Sequence, residues 1–137
     1  MKKPGLQVAC LSLLVVLATT IAGAQTKIAV RVPFNFHIAN KEFPAGGYTV
    51  YALRDHLTVE EGSGKVIFIG IANSVGGRHV GETGQVIFKC YDRSCFLSEF
   101  WTPTRETGSQ LLRSLYEAEL AGHQKGTEFA LVGKEHK

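Results

Sequence analysis

The chain has 137 residues, of which 15 are lysine or arginine and 12 are aspartate or glutamate, for a formal net charge of +3. A content of 45% hydrophobic and 20% charged residues is typical of a folded domain and excludes a disordered or collagen-like chain. The length suits one domain. Because the positive excess is small, no nucleic-acid partner is expected.

The N-terminus has the order of features that defines a secretory signal peptide. Basic Lys2 and Lys3 precede an almost continuous apolar run over residues 6–21, and the small residues Ala22-Gly23-Ala24 follow. The run is shorter than the roughly 20 residues that a membrane-spanning helix needs, which argues against an uncleaved anchor. We therefore predict a signal peptide over residues 1–24, no membrane span after cleavage, and a periplasmic or extracellular protein.

The remaining residues 25–137 are expected to form one β-rich domain. Removal of 24 of the 137 residues leaves 113, with 13 basic residues against 12 acidic ones, because Lys2 and Lys3 leave with the leader. A chain of this size buries about two-thirds of its unfolded surface, which is enough for a hydrophobic core.

Export also decides the expected state of the cysteines. Cys10 leaves with the leader, so that Cys90 and Cys95 remain as an even pair in an oxidising compartment. A turn at Asp92-Arg93 would place these two cysteines opposite each other in a hairpin, with Val86 opposite Glu99. We predict a structural disulfide between Cys90 and Cys95.

Periodicity predicts a mainly β fold. Residues 28–38 alternate with strict period two, and Pro33 in their middle suggests an edge strand or a bulge. Further strands are expected around two hairpin turns, at 61–64 and 92–93, with a loop over 73–84 and a last strand at 127–132 before a short polar tail, 133–137. The pattern favours an antiparallel sandwich or small barrel of about six to eight strands.

One α-helix is predicted, over about residues 108–121. Thr107 and Gln110 have the spacing of a capping box, and Leu111, Leu112 and Leu115 follow on one stripe.

No motif for catalysis, for a metal or for a cofactor emerges. The sequence Gly62-Ser63-Gly64-Lys65 lacks the first glycine and the final hydroxyl residue of a phosphate loop, and a hairpin turn explains it better. The five histidines show no metal-ligand spacing, and no nucleophile elbow is present. These absences favour a protein that is not an enzyme.

Three polar residues are candidates for ligand contact. Arg78 and His79 lie in the glycine-rich loop, where an anionic ligand could be bound. Glu99 lies among apolar residues of its strand, so that it either sits at a rim, pairs with Arg105 or lines a cavity. The aromatic residues of the same hairpin include Phe88 and Trp101, which we assign to one face of the core, and Phe96 and Phe100, whose placement stays open.

The strand motifs resemble those of a group of small secreted proteins, chiefly from acidobacteria, whose function is not established. The resemblance rests on Val32-Pro33-Phe34-Asn35-Phe36, on Pro44-Ala45-Gly46-Gly47-Tyr48-Thr49-Val50, and on Phe96-Leu97-Ser98-Glu99-Phe100-Trp101. It implies export and a mainly β domain, and it brings no catalytic residues. Phe43 stands where that group usually has leucine, and the cysteine pair is particular to this sequence.

Two functions are compatible with these features. The first is an exported, non-enzymatic module for binding, interaction or attachment to the cell envelope, with a protein or a small apolar ligand as partner. The alternative is a small ligand-carrying barrel or an unrecognised hydrolase. An interior cavity of several hundred cubic ångströms would favour the alternative, since small-molecule sites are concave.

Overall fold

A computed structural model of the protein describes residues 26–78, 83–103 and 105–136. The predicted leader lies outside these ranges. The described residues form ten strands and one helix, which are β1 Lys27–Val32, β2 Phe36–Ile38, β3 Lys41–Phe43, β4 Gly46–Leu53, β5 His56–Glu61, β6 Val66–Gly76, β7 Gly84–Tyr91, β8 Ser94–Trp101, β9 Thr107–Leu111, α1 Leu115–His123 and β10 Thr127–His136.

Eight of the strands close into an antiparallel barrel. Going round from β1, the neighbours are β4, β5, β6, β9, β8, β7 and β10, and β10 pairs back with β1. The short strand β9 completes the ring because it pairs with both β6 and β8. The hairpin β2–β3 is additional, with β2 running parallel to β8 at His37 and Phe96. The sequence prediction of a mainly β fold with one helix is confirmed, and its barrel alternative is the observed one.

The barrel interior is filled by the inward side chains of alternating strand positions. Period-two alternation places every second residue of a strand on the same face, so each strand contributes one apolar row. The fully buried members of these rows come from five strands of the barrel and include Ile28, Val32, Val50, Leu57, Val86 and Phe100.

The segment predicted as one strand over residues 28–38 forms two strands instead. Proline has no backbone N–H for a ladder hydrogen bond, and Pro33 follows directly after the end of β1. Beyond it the chain leaves β4 and joins β8 through β2. Since β1 is paired on both sides, the prediction of an edge strand is wrong, although the apolar residues on either side of the break are buried as expected.

The predicted disulfide is present at the end of the β7–β8 hairpin. The sulfurs of Cys90 and Cys95 are 2.08 Å apart, and the two residues are direct cross-strand partners. Asp92, in the turn, has a φ of 57°, a left-handed conformation that aspartate tolerates better than most residues.

Farther along this hairpin the register differs from the prediction. A bulge shifts the pairing, so that Val86 lies opposite Phe100, and Glu99 pairs with Ile87. The extra residue turns the following side chains to the other face of the sheet. Phe88 therefore packs in the barrel core, whereas Trp101 packs with Ile87 in a second, smaller cluster. The assignment of Phe88 and Trp101 to one face is wrong, although both are buried.

The helix begins later than predicted. Residues 107–111, expected at its start, form β9, because pairing with two neighbouring strands outweighs their local helical pattern. The N-cap is Ser114, whose Oγ accepts the backbone N–H of Glu117 at 3.1 Å. The predicted apolar stripe is exposed at Leu112 and Leu115, and the buried residue of the helix is Glu117.

Two strands are longer than predicted. Strand β6 continues through the first part of the expected loop as far as Gly76, because its second half pairs with β9. Strand β10 extends to His136 through the segment expected as a polar tail, where it pairs with β1.

Two glycines make room for a core side chain where β1, β7 and β10 meet. A Cβ on Gly133 would lie 2.3 Å from Cγ2 of Ile28 and 2.7 Å from the Ala29 carbonyl oxygen. A Cβ on Gly84 would lie 2.6 Å from Cδ1 of Ile28. Ile28 is completely buried, so this side of the barrel is packed without free space.

Gly133→Ala should therefore lower the free energy of unfolding by about 1–3 kcal/mol, the usual cost of overpacking a core. Gly122→Ala is the matched control, because a Cβ there meets no atom within 4 Å and alanine favours the helix. Urea unfolding followed by circular dichroism measures both variants. Equal stability of Gly133→Ala and the parent protein would contradict the packing described for Ile28.

Candidate functional site

A cavity of about 300 Å³ opens at one end of the barrel. It is lined from strands β4, β6, β8 and β9 and from the chain that joins β8 to β9. We call it the mouth cavity, and it is lined by Ala52, Arg54, Ala72, Ser74, Phe100, Thr102, Arg105, Thr107, Gly108 and Ser109.

The mouth cavity exists because small side chains occupy inward positions there. Val50 is buried in the core, and the next inward residue of β4 is Ala52. On β6 the inward row runs through Ala72 to Ser74, and Ser74 lies directly opposite Ser109 of β9. Alanine and serine leave unfilled the space that valine and phenylalanine fill deeper in the barrel. The floor of the cavity includes the buried ring of Phe100.

Two arginines border the mouth cavity. Arg54 lies in the β4–β5 turn, where its φ of 58° is left-handed, and Arg105 lies in the connection from β8 to β9. Within the described part of the chain, neither guanidinium has an ion pair within 4.0 Å. The acidic neighbour Asp55 is engaged elsewhere, with its Oδ1 2.8 Å from Nδ1 of His56. Both positive charges are therefore available to a ligand.

Hydroxyl groups complete the polar lining. Ser74, Thr107 and Ser109 come from the β6–β9 pair, and Thr102 follows the end of β8. The Oγ1 atom of Thr102 is buried and has no hydrogen-bond partner among the described residues. A buried polar atom without a partner costs free energy unless a ligand or water satisfies it.

The chemistry of this lining is that of an anion-binding site. Guanidinium groups and hydroxyls donate hydrogen bonds, and arginine matches carboxylate and phosphate groups in geometry. None of the described lining residues is Asp, Glu, His or Cys, so the cavity offers no general base and no activated nucleophile.

The sequence-predicted candidates lie elsewhere. Arg78 and Glu99 do come together, with Arg78 Nε 3.8 Å from Glu99 Oε1, a separation that allows an ionic contact but is too long for a hydrogen bond. Arg78 also donates to Oε2 of Glu128 at 2.9 Å. His79 lies outside the described residues.

Glu99 has a structural role in this arrangement. Its Oε1 accepts the indole N–H of Trp101 at 2.8 Å, and its side chain is only 12% exposed. Glu99 pairs with Arg78 and not with Arg105, and neither Arg78 nor Glu99 lines the mouth cavity. Through these contacts, Arg78 holds the start of the β6–β7 connection against the face of the sheet on which Trp101 lies.

A second buried carboxylate holds the helix against the barrel. Tyr91 donates its hydroxyl to Oε2 of Glu117 at 3.0 Å, and Nε of Arg113 lies 3.7 Å from the same oxygen. Burial raises the pKa of the Glu117 carboxyl, while the Tyr91 hydrogen bond and the positive charges of Arg113 and Lys89 act in the opposite direction. Burial also raises the pKa of the Tyr91 hydroxyl, and the nearby carboxylate adds to that rise.

The same helix covers an aromatic group. The His37 ring stacks on Phe96 with ring centroids 4.9 Å apart, and Tyr116 contacts both rings edge-on at 5.6 Å. Phe96 is almost fully buried. Phe96 therefore packs between the helix and the barrel.

The mouth cavity has little signal in the sequence. Arg54 belongs to no motif, and the sequence pattern predicts Thr107 as a helix cap and Ser109 as part of the helix, whereas both lie in β9. The available signal is the pair Ala72 and Ser74 in β6, two small residues on the same face of the strand. Small residues in this spacing predict unfilled space on one face of a strand.

Other types of site find no support in the described ranges. No group of three or more His, Cys, Asp or Glu residues there could hold a metal ion. No helix in these ranges is long and apolar enough to cross a membrane. Comparison with protein-family models, with curated proteins and with solved structures gives no significant match.

The pKa shift of Glu117 predicts a pH dependence of stability. A carboxyl whose pKa is raised on folding stabilises the fold most below its unfolded pKa of about 4.3, and this contribution is lost as the pH rises through the raised value. Glu117→Gln keeps an acceptor for Tyr91 and removes the titration. The free energy of unfolding of this variant should therefore decline less than that of the parent protein across the same pH interval.

Urea unfolding at a series of pH values measures the effect, and Glu119→Gln, exposed on the same helix, is the control. Identical pH profiles for Glu117→Gln and the parent protein would contradict the assignment.

Proposed function

We propose that the protein is an exported, non-enzymatic barrel that binds a small anionic molecule in the mouth cavity. One observation carries the proposal: Arg54 and Arg105 border a concave site lined with hydroxyls, and neither has an acidic partner among the described residues. Of the two functions considered from the sequence, this is the ligand-carrying barrel. A catalytic role has less support because the described lining lacks a base.

The size and floor of the cavity suggest the ligand class. A volume of about 300 Å³ is at the lower end for small-molecule sites, so the ligand is small. The floor residues Ala52, Ala72 and Phe100 are apolar, whereas the rim is cationic. A carboxylate that carries a short apolar or aryl group fits this cavity. Its charged end would contact the arginines of the rim, and its apolar group would contact the floor.

The rim charges are expected to give modest affinity. Both arginines are exposed, and ion pairs in contact with solvent contribute at most about 1 kcal/mol each. Contact with the apolar floor and a hydrogen bond to Thr102 would add to the binding free energy. We expect a dissociation constant in the micromolar to millimolar range.

Export is the second part of the proposal. The leader predicted over residues 1–24 supports it, and the Cys90–Cys95 disulfide is compatible with an oxidising compartment. We propose a periplasmic or extracellular location and place the chain with the small secreted proteins that its strand motifs resemble.

Titration with inorganic phosphate and with monocarboxylates from acetate to phenylacetate, followed by amide chemical shifts, tests the proposal. Arg54→Gln and Arg105→Gln should each weaken carboxylate binding. The double variant Arg54→Gln/Arg105→Gln should raise the dissociation constant by about tenfold or more, which is equivalent to about 1.4 kcal/mol. Phenylacetate should bind more tightly than acetate because of the apolar floor.

Arg93→Gln is the matched control, because Arg93 is an exposed arginine in the β7–β8 turn and does not line the cavity. Unchanged affinity in the Arg54→Gln/Arg105→Gln variant, or loss of binding in Arg93→Gln alone, would contradict the site. No shift of mouth residues with any of these anions would contradict the function.

A further inference from the structure

A second cavity opens through the side of the barrel, next to the mouth cavity. It has a volume of about 260 Å³ and lies where β9 ends, between β6, β8 and the start of the helix. We call it the side crevice, and its lining includes Phe68 from β6, Leu97 from β8 and Leu111 from β9. These three side chains belong to the barrel core or pack against it, so the side crevice reaches the barrel interior.

The side crevice and the mouth cavity are neighbours along the β6–β9 pair. Ala72 and Leu111 are direct cross-strand partners, and Ala72 lines the mouth cavity, whereas Leu111 lines the side crevice. The Cβ atoms of such partners are about 5 Å apart. The two cavities are also close on β8, where Leu97 lines the side crevice and Phe100 lines the mouth cavity. A thin layer of side chains therefore separates them.

The ring of Phe68 lies in this layer. Phe68, Gly70 and Ala72 share the inward face of β6, because Val59 and Leu57, which pair with the first two, are core residues. A Cβ on Gly70 would overlap Cζ of the Phe68 ring and lie 2.7 Å from its Cε2. The ring is therefore folded along its own strand, over Gly70 and towards Ala72. A glycine inside a strand permits this close approach.

The side crevice suits an apolar group and not an anion. Its described lining residues include no Lys, Arg or His. The polar ones are already engaged, because Ser114 Oγ accepts the backbone N–H of Glu117, and the Glu117 carboxylate accepts the hydroxyl of Tyr91. A ligand that used both cavities would thus place its charged end at the arginines of the mouth cavity and its apolar end in the side crevice.

We propose that the ligand of the mouth cavity is a medium-chain alkyl carboxylate, whose chain crosses Gly70 and enters the side crevice when the Phe68 ring turns aside. The proposal rests on the proposed function, because the arginines of the rim hold the carboxylate. A flexible chain is required, since the path leads from the end of the barrel to its side. Phe68 is then the residue that determines which chain lengths are accepted.

The Phe68 ring has room to turn. Phe68 is only partly buried, and Gly70 has no side chain that would hold the ring in place. Within the described ranges, no strand pairs with β6 beside Phe68 on the crevice side, because β9 covers only Ala72–Gly76. A change to another staggered χ1 rotamer moves the ring off Gly70 and joins the two cavities.

Amide chemical shifts of the protein recovered after export, titrated with acetate, butyrate, octanoate and decanoate, test the proposal. Acetate should shift mouth residues such as Ser109, whereas decanoate should also shift Leu97 and Leu111. The affinity should rise by about twofold to fourfold for each added methylene that becomes buried. This readout needs no variant.

Phe68→Ala removes the partition between the cavities. The ratio of decanoate affinity to acetate affinity should rise by about threefold or more in this variant, because no ring has to be displaced before the chain enters. Phe34→Ala is the matched control, since Phe34 is likewise partly buried against the core and lines neither cavity. Its affinity ratio should equal that of the parent protein.

The outcomes separate this proposal from the proposed function. If acetate and phenylacetate bind at the mouth cavity but decanoate leaves Leu97 and Leu111 unshifted, the chain does not enter the side crevice, and this proposal alone is overturned. An unchanged affinity ratio in Phe68→Ala also overturns it. So does decanoate binding that Arg54→Gln/Arg105→Gln leaves intact. Absence of any carboxylate binding at the mouth cavity overturns the proposed function as well.

Discussion

The pairing of the five-residue strand β9 with two neighbours is the constraint on which the barrel depends. Without it, β6 and the second half of β8 would be edges of an open, curved sheet with its apolar face exposed. The closing strand must pass close to the wall, and Gly108 allows this, because a Cβ there would lie 2.5 Å from the indole ring of Trp101. The closure also determines where the helix begins, since residues 107–111 are committed to the sheet.

The mouth cavity lies where β9 closes the ring. Where β9 pairs with β6, its small residues face small residues of β6, and the mouth cavity forms between them. Where β9 ends, the rest of β6 is left with an unpaired edge and an apolar crevice beside it. The second half of β6 therefore lines the candidate site.

Local signals predicted the local parts of the fold. The β7–β8 hairpin, its turn and the Cys90–Cys95 pair follow from residues that are close in sequence, and the structure has all three. The predictions failed where distant segments meet. Nothing in the Thr107 segment indicates that it pairs with β6 and β8, and nothing in the hairpin sequence marks the bulge that sends Phe88 and Trp101 to opposite faces.

The candidate site was unpredictable for the same reason. Arg54 and Arg105 are 51 positions apart in the chain and become neighbours of one cavity only when the ring closes. Arg78 and Glu99, which the sequence did single out, are in contact, but they stabilise the outer wall. Polar residues in an apolar setting are thus informative about structure, whereas small residues at inward positions indicate where a cavity forms.

Ring closure by β9 is the central claim, and nuclear Overhauser contacts of its backbone test it most directly. In the closed barrel, the Ser109 backbone should give cross-strand contacts to Ser74 on one side and to Phe100 on the other, in the same monomeric sample. Contacts to only one of these strands, or a helical pattern of contacts over residues 107–111, would contradict the closed barrel and the mouth cavity with it.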